Sequence, residues 1–435
     1  MYYYSLNKKL TRVSFKQAVI EGLASDRGLY FPVSIPRLPV EFIKNIGNYS
    51  NCEIAYQIIE PFVANEIPSR VLREIIEDTL HFDFPLFFVD GNTAALELFH
   101  GPTLAFKDVG ARFMACCLKY FKRNSDKKVT VLVATSGDTG AAVARGFLGI
   151  AGVEVVILYP SGKVSNIQEK QLCTLGQNIT ALEVKGTFDD CQNMVKTAFL
   201  DRDIKGELSS ANSINIARWL PQMFYYFFAY KQLFKQQKDL VFSVPSGNFG
   251  NICAGMMAQK LGLPAKHFIA ATNINNTVSD YLASGVYKPK PSKATISNAM
   301  DVGNPSNFVR IEELYNRNLD LLKDVLSCYS FTDDQTRKAI KTIYNNSTYI
   351  ADPHGAVGYL GAKEYQKNNP NSLCVFLETA HPAKFLEQVE SILKIQLSVP
   401  EQIKLILNKQ KKSIPISSYI ELKAFLSNKS SVINC

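Results

Sequence analysis

The chain has 435 residues, 46% hydrophobic and 20% charged, with a formal net charge of +9. That length is too great for one ordinary core, and the composition leaves no room for long disorder, so two α/β domains are expected. Nine cysteines without regular spacing argue against a disulfide framework or a zinc knuckle, no group of histidines suggests a metal, and the thiols suit a reducing, cytoplasmic setting. The N-terminal stretch lacks an apolar signal core. The greasiest segment, Trp219 to Tyr230, is broken by Pro221 and Gln222 and is too short to span a bilayer. The densest basic run, Lys404 to Lys412, reads as a solvated helix face. Aromatic and basic residues are not interleaved as in a nucleic-acid module, so the partner expected is an anionic small molecule, not nucleic acid or membrane.

Residues 1 to about 90 read as mixed and mostly helical, with helical spacing of apolar residues over Glu53 to Val63 and Ser69 to Leu80. Pro32, Pro36 and Pro39 predict an extended connection after SDRGLYFP. From about 129 the pattern changes to short buried strands: Val129 to Val133, Val153 to Leu158, Thr180 to Val184, Leu240 to Val244, Phe268 to Thr272 and Leu373 to Leu377. Helices are expected between them, among others at Val164 to Leu175 and Asp189 to Leu200. This alternation predicts an α/β fold of two domains, with parallel-rich twisted sheets flanked by helices, right-handed crossovers, and functional loops at the carboxyl ends of strands. The expected division is a helical N-terminal region over 1–90 packing on the large domain, a smaller α/β domain over 91–220, a large one over 221–400, and a helical tail over 401–435.

Four segments offer chemistry. In ELFHGPTLAFKD, Lys107 follows an apolar, aromatic run; such surroundings lower an amine's pKa and suit a Schiff-base lysine, although a Lys-Asp pair alone also reads as a helix start. In ATSGDTG, the residues Thr135, Ser136, Asp138 and Thr139 crowd three hydroxyls and two glycines between a strand and a helix. That is either an N-cap turn or an anion site for a carboxylate. In PSGNFGN, Ser246, Gly247, Asn248, Phe249, Gly250 and Asn251 form a second strand-to-helix turn, a phosphate cradle or an ordinary connection. It lacks the Walker lysine of a nucleotide-hydrolysing enzyme. In SANSINIAR, Asn212, Ser213 and Arg218 offer small polar groups and one guanidinium, which suit a dianion or a capped helix with an exposed arginine. His354 in ADPHGA and His381 in ETAHPAKF read as hydrogen-bonded loop residues.

Taken in order, FHGPTLAFKD, ATSGDTGAA, SANSINIARWLPQ, VPSGNFGN, AMDVGNPSNF, ADPHGA and ETAHPAKF resemble the threonine synthase family of the longer, bacterial and fungal type, over roughly residues 20 to 390. The resemblance implies pyridoxal-phosphate fold type II, shared with tryptophan synthase β and the serine/threonine dehydratases. It also implies conversion of O-phospho-L-homoserine and water to L-threonine and phosphate. Lys107 would carry the cofactor, Ser246 to Asn251 its phosphate, and Thr379 its pyridine nitrogen. Thr135, Ser136, Asp138 and Thr139 would meet the substrate carboxylate, and Asn212, Ser213 and Arg218 its phosphate, with Lys163 as a helper and Arg112 as a further candidate. A monomer or homodimer is expected. The rival of the same fold is a phospho-lyase that releases a keto acid and ammonia; a non-catalytic scaffold is opposed by the presence of Lys107.

Overall fold

The computed structural model describes all residues except 10, 11, 64, 126, 205 and 432–435. Two parallel-rich sheets organise the chain. The larger has six strands in the order Leu326–Ser330, His267–Thr272, Leu240–Pro245, Leu373–Glu378, Thr93–Glu97, Leu86–Asp90; only the last pair is antiparallel. Leu240–Pro245, His267–Thr272 and Leu373–Glu378 are buried at every position, because helices cover both faces. The smaller sheet has five strands, all parallel, in the order Ser413–Ile416, Ile179–Val184, Val153–Pro160, Val129–Ala134, Glu207–Ser210.

Strand order places the functional loops. In the smaller sheet the chain runs to one side of Val129–Ala134 first and returns on the other as Glu207–Ser210. In the larger sheet Leu240–Pro245 has His267–Thr272 on one side and Leu373–Glu378 on the other. At such switch points the loops leave neighbouring strands in opposite directions and open a crevice at their carboxyl ends. Those loops are the four segments that begin at Thr135, Ala211, Ser246 and Thr379. The loop leading to Lys107 leaves the carboxyl end of Thr93–Glu97, one strand further on.

The expected division is redrawn in three places. Thr93–Glu97 lies within 91–220, yet it pairs with Leu373–Glu378 in the larger sheet. The N-terminal region is not only helical: Tyr3–Ser5, Arg12–Val13 and Tyr30–Pro32 make a small antiparallel sheet. It also touches both sheet units, since Ser209 Oγ donates to the Val19 carbonyl at 3.2 Å and Leu38 N–H to the Leu261 carbonyl at 2.8 Å. The tail over 401–435 contains a strand, Ser413–Ile416, which extends the smaller sheet alongside Ile179–Val184. These strands are short and carry no long β-branched run; pairing with a formed sheet edge defines them.

The helix Tyr419–Ser431 then folds back, and Leu422 and Leu426 join Leu182, Val184, Cys191 and Val195 in a core of their own. Leu422→Ala should therefore lower the unfolding free energy by about 2–4 kcal/mol in urea titration, the cost of a cavity in a closed core. A change within experimental scatter would show that the tail is not part of the folded unit.

Candidate active site

The loop preceding Lys107 is tied to the segment after Glu378. Phe106 N–H donates to the Thr379 carbonyl at 2.9 Å, and His381 N–H to the Leu104 carbonyl at 3.0 Å. Leu104 sits at φ 59°, a left-handed conformation that a non-glycine residue keeps only where its surroundings enforce it. Buried Asp108 accepts hydrogen bonds from Thr103 N–H and hydroxyl at 2.9 and 2.7 Å, so the acid after Lys107 fastens the loop. Lys107 opens the helix Lys107–Lys122, and its amine has no hydrogen bond or ion pair among the described residues. The residue as a whole is half-buried, and protein surrounds the amine. Burial pushes the amine down to about 8; Asp138 opposes this, while Lys384 and Arg218 add to it.

The loop after Val129–Ala134 is shaped from within. The Thr135 hydroxyl accepts from Gly137 N–H at 2.9 Å and Gly140 N–H at 2.8 Å. Gly137 takes φ 134°, which side-chain-bearing residues rarely adopt. Thr135 is thus a former of the loop, while the hydroxyls of half-buried Ser136 and Thr139 have no hydrogen bond among the described residues. Asp138 and Thr139 begin the helix Asp138–Phe147, so their N–H groups have no intrahelical partner. The Asp138 carboxylate is engaged elsewhere. Fully buried Lys384 pairs with its Oδ1 at 2.6 Å, and Gln168 Nε2 donates to the same oxygen at 2.9 Å. Burial alone would raise the Asp138 carboxyl, but Lys384 and Lys107 hold it well below the usual carboxylate range. An anion so held supports the loop; it is not a group that would face a substrate carboxylate.

Asn212 and Ser213 join the two glycine-containing loops. Asn212 Nδ2 donates to the Ala134 carbonyl at 2.9 Å, and the Ser213 hydroxyl accepts from Asn248 Nδ2 at 3.0 Å. Asn248 also accepts from Ser306 N–H and hydroxyl, each at 2.7 Å, so its side chain builds the turn. The Ser246 hydroxyl donates to the Val244 carbonyl. Gly247 lies where a Cβ would meet the Met300 Cα at 2.7 Å, and Phe249 is left-handed at φ 59°. Asn251 accepts from the Tyr226 hydroxyl at both its carbonyl oxygens, leaving buried Nδ2 without a partner. Arg218 is 3% exposed, and its Nε and Nη1 have no partner among the described residues. Burial brings its guanidinium down to about 10, against the pull of Tyr225 and Asp108. The exposed surface arginine is thereby ruled out.

Lys384 and Gln168 were not singled out in the sequence. Lys384 carried the same signal as Lys107, a lysine against an aromatic residue in an apolar run, here Ala383-Lys384-Phe385. Lys163 is exposed on its turn, and Arg112 donates Nε and Nη2 to the Asp78 carbonyl. His354 Nδ1 pairs with Asp352 at 2.5 Å while Nε2 accepts from Ala299 N–H at 3.2 Å, and His381 Nδ1 accepts from Ala383 N–H at 3.0 Å; both are loop builders.

The cleft thus presents one buried reactive amine, two sets of unmatched donors at Asn251 and Arg218, and a turn narrowed to glycine at Gly247. Unmatched buried donors call for acceptors, and two anionic groups answer them. That donor set fits pyridoxal phosphate: the Ser246 to Asn251 turn for its phosphate, Lys107 for its aldehyde carbon, and Thr379, whose hydroxyl has no partner among the described residues, for its ring nitrogen. The chain is a pyridoxal-phosphate-dependent enzyme of fold type II. Residues 93–379 match the family described as pyridoxal-phosphate dependent enzyme, residues 2–80 the threonine synthase N terminus, and residues 355–425 the threonine synthase C-terminal region. The threonine synthase of Escherichia coli (strain K12) is 46% identical over 92% of this chain and 93% of its own. A crystal structure of threonine synthase from Escherichia coli superposes with a TM-score of 0.93 at 43% identity, covering 99% of this chain and 100% of that one. A structure of PLP-bound threonine synthase from Brucella melitensis gives 0.91 at 33% identity, covering 99% of each chain. The chain belongs to the threonine synthase family.

Removing one partner of a buried ion pair strands the other. Lys384→Met should cost about 3–5 kcal/mol of unfolding free energy, and Lys384→Met with Asp138→Asn should recover part of it. Additive losses would mean that the two side chains are not coupled. The carboxyl of Asp138 is depressed by folding, so its stabilisation is fully present above the unfolded value of about 4 and is lost as pH falls through the lower folded value. Urea titrations should show the parent losing stability relative to the double variant as pH drops below about 4. A pH-independent difference would contradict the assignment.

Proposed function

We propose that the chain converts O-phospho-L-homoserine and water into L-threonine and inorganic phosphate, with the cleft residues dividing the work as follows. The observation that carries this reading is Arg218: a buried guanidinium without an acid partner, close enough to Lys107 to affect its proton affinity. A buried cation left unpaired is costly unless an anion arrives, and a phosphate that becomes a leaving group is such an anion.

Bound pyridoxal phosphate supplies an electron sink for negative charge at the substrate α-carbon. Ser246 to Asn251 would hold its phosphate through backbone N–H groups and Asn251 Nδ2, and Thr379 would offer a neutral hydroxyl to its ring nitrogen. Ser136, Thr139 and the N–H groups opening the helix Asp138–Phe147 orient the substrate carboxylate. Asp138 keeps that loop in place through Lys384 and Gln168. Lys107, whose amine is brought near 8, takes the α-proton at Nζ and returns a proton later. A β-proton is also lost, and Arg218, with Asn212 and Ser213, holds the γ-phosphate as its C–O bond breaks; a proton then goes to the γ-carbon, the hydroxyl of water joins the β-carbon, and the remaining protons return to the α-carbon and leave with phosphate. Movement of the smaller sheet unit toward the larger would exclude water until that step. All these groups come from one chain, so a monomer or homodimer suffices. The eight described cysteines are all free, which supports a cytoplasmic location.

Purified protein loaded with cofactor and given O-phospho-L-homoserine should release phosphate and threonine in equal amounts. Release of 2-oxobutyrate with ammonia would instead establish a phospho-lyase. Lys107→Ala should lose both turnover and the visible absorbance of the attached cofactor. Arg218→Met should keep that absorbance and lose kcat/KM by on the order of a hundredfold or more. Near-parent efficiency in Arg218→Met would defeat the phosphate assignment.

A further inference from the structure

Arg310 is a second fully buried arginine, at 0% exposure, outside the cleft and outside every sequence motif considered above. It lies on the helix Phe308–Leu314. All of its hydrogen bonds go to neutral oxygens. Nη1 donates to the Ser213 carbonyl at 3.0 Å and to Asn307 Oδ1 at 2.7 Å; Nη2 donates to the Ile214 carbonyl at 2.6 Å and the Tyr30 carbonyl at 3.0 Å; Nε donates to Tyr30 again at 3.3 Å. The guanidinium lies over the Trp219 ring, 4.4 Å from its centroid. No carboxylate pairs with it among the described residues. Five N–H donors are thus spent mainly on backbone carbonyls, two of them consecutive in the turn Asn212 to Asn215.

Consecutive carbonyls drawn to one cation fix the rotation of two peptide planes. In a trans peptide the N–H points away from the carbonyl, so pulling the Ser213 carbonyl inward turns the Ile214 N–H outward. That N–H has no hydrogen bond among the described residues, and Ile214 is half-buried. Four residues on stands Arg218, with its unmatched Nε and Nη1. A lysine in place of Arg310 could not reproduce the arrangement, because one ammonium lacks the planar fork that reaches both carbonyls.

We infer that Arg310 is the positioning residue of the substrate-phosphate site, holding the Asn212–Asn215 turn so that the Ile214 N–H joins Arg218 as a donor to the phosphate. The inference rests on the phosphate reading of this turn. Its consequence falls first on phosphate binding: the cofactor turn shares Ser213 and Asn307 with this network, through Asn248 Nδ2 to the Ser213 hydroxyl and Asn307 N–H to the Asn248 carbonyl, but keeps Ser306 and Tyr226 as supports that Arg310 does not touch.

The test uses full-length holoenzyme, with Arg310→Lys and Arg310→Met beside Arg218→Met. Expected for Arg310→Lys is an unchanged cofactor absorbance, a KM for O-phospho-L-homoserine raised about tenfold, and a similar weakening of inhibition by inorganic phosphate, the scale of one lost bond to an anion. Its kcat should change much less. Parent KM and parent phosphate inhibition in Arg310→Lys would overturn the inference. If Arg218→Met also binds inorganic phosphate like the parent, the phosphate reading of the turn fails with it; if Arg218→Met is impaired, only the role of Arg310 fails. Should the Arg310 variants not fold, hydrogen exchange on the parent decides. Saturating inorganic phosphate should slow exchange in the peptide containing Ile214, and unchanged exchange there would overturn the inference.

Discussion

The buried pair of Lys384 and Asp138 joins the two sheets where their carboxyl ends open. Asp138 starts the helix after Val129–Ala134 of the smaller sheet; Lys384 follows the Leu373–Glu378 strand of the larger. Lys384 also donates to the Thr103 carbonyl at 3.0 Å, in the loop that leads to Lys107. One ammonium therefore fixes the substrate-side loop, the loop carrying the reactive lysine, and the C-terminal motif relative to one another. Neither charge is tolerable in that position without the other, since desolvation would force the lone partner to neutralise or the loop to move.

Around this pair the cleft keeps its charges deliberately out of balance. Asp108 is consumed by Thr103 and Asp138 by Lys384 and Gln168, while Lys107 and Arg218 are left without acid partners. The net result is a cationic recess suited to anionic ligands. Burial, with Lys384 and Arg218 adding to it and Asp138 opposing it, lowers the Lys107 amine toward the range a base needs. Side chains that look available for ligands, such as Thr135 and Asn248, are instead spent inside their loops, so the remaining donors are held still before any ligand arrives.

The loops themselves are shaped by backbone that few residues accept. Leu104 and Phe249 are left-handed without being glycine, and each belongs to a segment pinned at both ends by hydrogen bonds to other segments. Such conformations do not arise from local preference; the surrounding contacts impose them. Gly110 serves a related end. Its missing Cβ lets the helix Lys107–Lys122 lie against the Arg218 carbonyl, where a Cβ would come within 2.6 Å, and so brings the two cations of the cleft onto touching elements.

The amino-acid order by itself determined the local units: buried strands marked by β-branched runs, glycine turns at their carboxyl ends, and the lysine, hydroxyl and arginine segments that became the cleft. It did so because periodicity and turn chemistry act over a few neighbouring residues. It also carried the family resemblance, since seven segments in order are specific even where each alone is ambiguous. Tertiary structure alone decided which sheet Thr93–Glu97 and Ser413–Ile416 would join, because a short strand is defined by the edge it meets. It alone decided that Asp138 would pair with Lys384, far along the chain, and would not face a substrate. It also left Arg218 unpaired while Arg310 filled all its bonds with carbonyls. The physical reason is the same in each case: burial and hydrogen-bond matching are properties of groups brought together from distant positions, and nothing in the local sequence around a charged residue says which partner will reach it.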